Sequence, residues 1–565
     1  MLYFHLIILL LTVKCSSSLC VEEGDSESDT LCVNVKGSKV LGRKLNTILE
    51  RKLFAVFWDI PYAEAPLREL RFKQPREKYL KNGTLDCSQP RKKCACCYDE
   101  DCLYLTIYMP ISYNQSRNLP VVVWADHNEV LQYPDFFIEE EVVVVVVTYR
   151  RFIFGFLNTG DEFAEGNMGA KDILMALKWI KRYIRSFNGD PNRITVAGFQ
   201  SAATIVSSLI LTPGAEGLFS RIIILGGSAL SPADYRNYNF DVMNKLYWNL
   251  NGPFEKLNRT NLYQILANYS TSELMVASED LFDSTEVRDS QRLINAFGPS
   301  IEVTKNTFMS KAPIEVYKAR LTNNNVEVMI GYTSLEALVK LKGFIQNKKL
   351  LKYLNYNFQY LLPFEGTKDE YGSKRYRKIR EKIMEFYFVN GTIGERSLRR
   401  YAKYVSDQVI YPLLRQARFQ GDASCRNVYL FRFAFRGALN VAWDSSARHL
   451  NWSGATSGDE ICYLFRCKSV GDVYNSAEAS NERLFIKKIA RLLANFAKCG
   501  DPTPVKEDEV LGNLKWEPLR RRASIRALNM GRRLKMADVP EQTRVNFWDQ
   551  LKSELFSEKL PNVEL

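Results

Sequence analysis

Between an apolar run at 194–197 and an apolar stretch at 204–211 lies Gly198-Phe199-Gln200-Ser201-Ala202. Gly198 starts a tight turn, so the segment reads as a corner between a strand and a helix. A serine at such a corner could attack a carbonyl carbon, provided that a base takes its proton. The chain offers few bases. Histidine occurs only at His5, His127 and His449. That scarcity argues against histidine-rich metal sites and limits proton transfer near neutral pH. Cys87, Cys94, Cys96, Cys97 and Cys102 crowd together, but their spacing is irregular and no histidine lies nearby. No metal and no cofactor is expected, and disulfides are the reading for the cysteines.

The elements that must position such a corner follow from hydrophobic patterning. The runs 119–124 and 142–148 are continuous, apolar and β-branched, as in strands buried on both faces of a parallel sheet. Ile173, Leu177, Ile180 and Ile184 form one helical stripe, which Gly189-Asp190-Pro191-Asn192 should break. Strands are expected at 194–197 and 222–225, with a helix at 204–211 between them. This alternation predicts an α/β fold with a mixed, mostly parallel sheet flanked by helices. The stretches 235–297 and 360–418 read as helical, the second strongly charged. Residues 428–435 read as strand, 480–498 as an amphipathic helix and 545–555 as a terminal one. No fixed-period repeat and no Pro- or Gly-rich linker divides the chain.

At 565 residues, with 46% hydrophobic and 25% charged residues, this is ordinary globular composition. Residues 2–13 are largely apolar, broken by His5 and Thr12, and are followed by Ser16, Ser17 and Ser18. They predict a secretory signal over about 1–20, with cleavage leaving 21–565 as one domain. The apolar stretch is shorter than the ~20 residues of a membrane span. No integral span and no lipid-anchor tail is expected. Sequons at Asn82, Asn114, Asn258, Asn268, Asn390 and Asn451 fit a glycosylated, secreted, extracellular surface. The net charge of +13, with runs such as 374–378 and 520–522, suits acidic glycans or acidic partner domains. Nucleic acid is not an expected partner outside the cell.

Several blocks in order resemble the type-B carboxylesterase/cholinesterase family. They are Ile60-Pro61-Tyr62-Ala63-Glu64-Ala65-Pro66, Glu100-Asp101-Cys102-Leu103-Tyr104-Leu105 and Phe154-Gly155-Phe156-Leu157. Gly166-Asn167-Met168-Gly169 with Lys171-Asp172, Phe187-Asn188-Gly189-Asp190-Pro191-Asn192 and Gly500-Asp501-Pro502 continue the series. The resemblance runs from about residue 30 to 550 and implies the α/β-hydrolase fold. It also implies a disulfide between Cys102 and one of Cys94, Cys96 or Cys97.

The family's enzymes carry serine on a Gly-x-Ser-x-Gly elbow. Ungapped spacing to the flanking blocks puts Gln200 at that position, with Ser201 one residue beyond it. Ile330-Gly331-Tyr332-Thr333-Ser334-Leu335-Glu336 resembles the segment of the triad acid, so Glu336 fills that place. Gly454-Ala455-Thr456-Ser457-Gly458-Asp459-Glu460 resembles the histidine segment and carries Ser457 where the base should stand. In place of the family's His-Gly-Gly-Gly oxyanion loop the chain has Asp126-His127-Asn128-Glu129, whose side chains would crowd the backbone donors. The degenerate triad positions Gln200, Glu336 and Ser457, with the altered loop Asp126, His127 and Asn128, imply an inactive homologue. Such a chain resembles the family's noncatalytic members, neuroligin, neurotactin, gliotactin and glutactin. The expected role is recognition or cell adhesion through an extracellular protein or acidic glycan, with a homodimer as a further implication of the resemblance. Two alternatives are a carboxylic ester hydrolase using atypical residues and a carrier of a small apolar ligand. As rescuing groups, Ser201 is expected to pack or cap locally, and His449 to lie on a surface loop.

Overall fold

The computed structural model describes residues 29–557 apart from 92–98, 112–117, 126–132, 232–239, 251–264, 280, 282–294, 305–306, 323–324, 358–373, 424 and 521–523. The expected signal, Cys94, Cys96, Cys97, Asp126, His127, Asn128, Glu129, Asn114 and Asn258 therefore lie outside the described residues.

One 13-stranded sheet draws on almost the whole described length. Its strands are β1 (Thr30–Val35), β2 (Ser38–Asn46), β3 (Leu53–Pro61), β4 (Gly83–Asp86), β5 (Tyr104–Pro110), β6 (Leu119–Ala125) and β7 (Val143–Val147). They continue with β8 (Gly189–Phe199), β9 (Arg221–Leu225), β10 (Glu327–Thr333), β11 (Val428–Phe433), β12 (Arg526–Met530) and β13 (Leu534–Asp538). The spatial order is β1-β2-β3-β5-β7-β6-β8-β9-β10-β11-β12-β13, with β4 beside β2. From β7 to β12 every neighbouring pair is parallel, while the flanks are antiparallel apart from the parallel pair β2–β4. The sequence explains the parallel centre. Val121 and Val123 enter the core on one face and Val122 and Trp124 enter the core on the other, so every position of β6 must be apolar.

Six helices matter below: α1 (Met168–Tyr183), α2 (Ser201–Ser208), α3 (Lys374–Tyr387), α4 (Leu398–Ala423), α5 (Ser480–Cys499) and α6 (Gln542–Ser557). Two expectations shift. The polar segment 189–192 belongs to β8 rather than to a loop, because Gly189 pairs with Leu119 before a register shift at Val121. The helix break falls at Asn188, with φ 60°. The helix after the corner begins at Ser201, three residues earlier than its apolar stretch suggested. No described helix is long and apolar enough to cross a membrane.

The expected Cys102 disulfide is corrected. Cys102 carries a free thiol, half-buried beside the Arg150–Asp172 pair, and desolvation pushes its pKa up to about 12. Cys32 is disulfide-bonded, and none of the other described cysteines is its partner. Cys462 and Cys467 form a disulfide with each other. Asn82, Asn268, Asn390 and Asn451 are exposed, as glycan acceptors must be.

The block at 166–172, singled out by its resemblance to the family, acquires a physical meaning. Arg150 forms a buried two-pronged bond to Asp172, Nη2 to Oδ1 at 2.7 Å and Nε to Oδ2 at 2.8 Å, and donates from Nη1 to the Lys73 carbonyl at 2.7 Å. A Cβ at Gly155 or at Gly169 would lie 2.2 Å from the Arg150 carbonyl oxygen. Both glycines are fixed by that close approach rather than by a turn. Replacing Asp172 by Ala strands a guanidinium in the core, so D172A should lose about 3–5 kcal/mol of stability by urea unfolding. D444A, which breaks the exposed pair with Arg448, should change stability by less than about 0.5 kcal/mol.

Candidate functional site

Parallel register brings four strand ends level. Ala125 pairs with Gly198, Phe199 with Leu225, and Leu225 with Gly331. At this edge β8 turns into α2 through Gln200, whose φ of 52° and ψ of −121° are unusual for a residue with a side chain. Such a conformation costs about 1–3 kcal/mol and survives only where its surroundings enforce it. Here they do. The Gln200 N–H donates to the Leu225 carbonyl at 2.8 Å, and its own carbonyl accepts from the Thr204 N–H at 3.2 Å. A Cβ on Gly198 would meet the Ala202 backbone at 2.8 Å. A Cβ on Gly227 would lie 2.3 Å from the Gln200 carbonyl oxygen.

The three separated positions singled out in the sequence, Gln200, Ser457 and Glu336, come together. The Gln200 amide Nε2 donates to Ser457 Oγ at 3.1 Å. Glu336 lies buried just past β10, and its Oε2 accepts from the Thr333 N–H at 2.6 Å and the Thr333 hydroxyl at 2.5 Å. Two backbone bonds hold the Glu336 loop to the Ser457 loop: Leu335 N–H to the Ala455 carbonyl at 2.9 Å, and Ser457 N–H to the Glu336 carbonyl at 3.3 Å. Gly226, at φ 64°, provides the space. A Cβ there would lie 2.5 Å from Glu336 Oε1 and 3.6 Å from Ser457 Oγ.

In the row Gln200, Ser457 and Glu336 the amide donates to the hydroxyl, because a primary amide nitrogen can only donate. Burial raises the Glu336 pKa above the ordinary carboxylate range, and the hydroxyls of Thr333 and Ser457 oppose that rise. An amide nitrogen has its lone pair in resonance and cannot attack a carbonyl. Ser457 carries the hydroxyl of the row, and it is buried and engaged by Gln200.

Ser201 is exposed at the start of α2, one helical position round from Gln200 and outside the row. His449 is exposed just beyond the helix Val441–Ala447. The altered loop at Asp126–Glu129 would continue from β6 and lies outside the described residues.

Sequence reasoning missed two acids. Glu460 is buried, accepts from the Gly458 N–H at 3.0 Å, and has its pKa raised well above the usual value by burial and by the charge of Glu336. Asp459 accepts from the Trp443 and Thr456 N–H groups at 2.9 and 2.8 Å, and burial lifts its pKa to about 6. Their adjacency to Ser457 was the available signal. The Gly226-Gly227 doublet after the apolar end of β9 was a second one.

Comparison with known proteins places these features in context. A family model described as the carboxylesterase family matches residues 29–548. Venom carboxylesterase-6 of Apis mellifera is 28% identical, covering 77% of this chain and 80% of that protein. A juvenile hormone esterase of Heliothis virescens is 27% identical, covering 80% and 82%. A crystal structure of the juvenile hormone esterase from Manduca sexta, with OTFP covalently attached, has a TM-score of 0.76. It is 22% identical and covers 93% of this chain and 100% of that one.

The acids behind the row give a pH signature. A carboxyl whose folded pKa is raised contributes stability that is complete below the unfolded value, 4.5 for Glu460, and is lost as pH rises through the folded value. The urea midpoint should therefore fall as pH rises above 4.5 and into the neutral range. E460Q keeps an acceptor for Gly458 and removes the titration, so its midpoint should fall less over the same range. A wild-type midpoint that rises, or a decline unchanged in E460Q, would refute the assignment.

Proposed function

The chain belongs to the carboxylesterase family, and from that premise we propose that it does not hydrolyse esters but uses the inherited scaffold for extracellular recognition. The observation that carries this reading is the bond from Gln200 Nε2 to Ser457 Oγ at the strained corner. An amide stands where a nucleophile would be lifted from the sheet, and a hydroxyl stands where an imidazole would draw off its proton. In triad hydrolases, loss of the nucleophile or the base alone lowers kcat by about 10⁶. Losing a second member of the unit adds little to that loss.

Secretion is part of the proposal. The Cys462–Cys467 disulfide and the four exposed sequons suit an oxidising, glycosylating compartment. A recognition role agrees with the strongly basic balance, since long-range attraction would favour acidic partners.

A second reading has its own support: the compared relatives are named as esterases. On this chain it would use Ser457 Oγ as nucleophile with Glu336 as the base beside it. Gln200 and the low exposure of Ser457, 6%, count against it. One assay separates the two readings. Purified protein is treated with a fluorophosphonate probe and with a nitrophenyl ester. Turnover should stay at the level of heat-denatured protein, with no adduct by intact-mass spectrometry. A single Q200S substitution should leave that background unchanged. An adduct mapped to Ser457, abolished in S457A, would establish the hydrolase instead.

A further inference from the structure

Away from the elbow, a surface cleft of about 660 Å³ opens at the start of α4. It is lined by Val389, Arg396, Ser397, Arg399, Arg400 and Lys403. The four cations recur at intervals of three, four and seven residues, which places them on one helical face. Arg396 sits in the 3-10 turn Glu395–Ser397 that leads into α4, and the other three occupy the first two turns. Arg396, Arg399 and Arg400 are exposed and Lys403 is half-buried.

Elsewhere three arginines near α4 and α6 are matched with acids. Arg418 pairs with Asp549, Arg432 with Glu541, and Arg544 with Asp407. In the cleft, no ion pair is formed by any of the four cations among the described residues, although Arg399 lies 5.9 Å from the centre of the Trp452 ring. Lys403 shows the consequence. Burial and the charges of Arg544 and Arg399 hold its pKa below the ordinary lysine value. The amino end of a 26-residue helix adds to the positive potential.

We propose that this cleft binds a sulfated glycan chain, with Arg396, Arg399, Arg400 and Lys403 as the contacts to its sulfate and carboxylate groups. Three features select this ligand class. Guanidinium groups present paired donors that match the oxygens of an oxyanion. The cations are spaced along the helix, as a chain of repeated charges requires, rather than focused on one point. Val389 is the one apolar residue of the lining. A highly charged glycan needs no apolar anchor, which suits a lining with a single apolar residue. The exposed sequons and the disulfide place such a ligand in the same compartment as the proposed recognition role. The assignment does not depend on whether the elbow hydrolyses esters.

The test measures binding of the full secreted chain to immobilised heparin at about 0.15 M salt, with polyglutamate as a second surface. R399Q/R400Q/K403Q should weaken heparin binding about tenfold or more, and R396Q/R400Q about threefold. The second variant spares the Trp452 contact and the half-buried lysine. Circular dichroism and the thermal midpoint should match wild type. R377Q/K378Q, on α3, should stay within about twofold, since those exposed cations lie outside the cleft. The salt dependence of log Kd should become shallower in both cleft variants, because fewer counterions are released. Failure of wild type to bind heparin, or equal affinity of wild type and folded cleft variants, would overturn the site. Polyglutamate binding as tight as heparin, with the same losses, would overturn the glycan assignment.

Discussion

Everything at the sheet edge depends on one close approach. The Gln200 carbonyl oxygen sits where a Cβ on Gly227 would be 2.3 Å away, and the Gly198 backbone faces that of Ala202 almost as tightly. Those contacts hold residue 200 at positive φ whatever side chain it carries. The conformation is therefore a property of β8, β9 and the two glycine positions, not of the chemistry performed there. Strain of this kind is usually tied to function. Here the strained backbone coexists with a side chain that cannot act as a nucleophile.

That separation explains how the scaffold and its chemistry can part company. The buried Arg150–Asp172 pair and the glycines wedged against Arg150 stabilise the packing beneath the edge without touching the row Gln200–Ser457–Glu336. The row itself is internally coherent. The amide donates to the hydroxyl, and two donors from Thr333 hold the acid in place. The glutamine side chain is long enough to span to the Ser457 hydroxyl. Buried acids remain costly in such a setting, and Glu460 and Glu336 respond by holding protons more tightly.

The basic cleft sits on a different part of the molecule and follows different physics. Along α4 the inward positions are aromatic or aliphatic, such as Tyr401, Tyr404 and Val405, and pack into the core. The outward positions at 399, 400 and 403 are free to diverge, because solvent-facing charge affects stability little. The chain uses that freedom for a single sign of charge. A fold whose core is fixed by packing can thus acquire a recognition surface without disturbing its sheet.

Hydrophobic pattern alone predicts the parallel centre of the sheet. β6, β7 and residues 222–225 of β9 are unbroken apolar runs, and only a strand covered on both faces tolerates that. The sequence also determined which residue types stand at 200, 336 and 457, because the blocks around them keep their spacing. It misplaced the start of β8, since Asp190-Pro191-Asn192 looks like a loop until Leu119 is seen pairing with Gly189. The family resemblance pointed Cys102 toward a disulfide, whereas its thiol is free and half-buried beside Asp172. Folding across the sheet brings Gln200 to Ser457 over 257 residues of chain, and sets the charge of Glu336 against Glu460. Local pattern records which face of an element is buried. It carries no record of which distant carbonyl, hydroxyl or carboxylate the folded sheet will bring to that face.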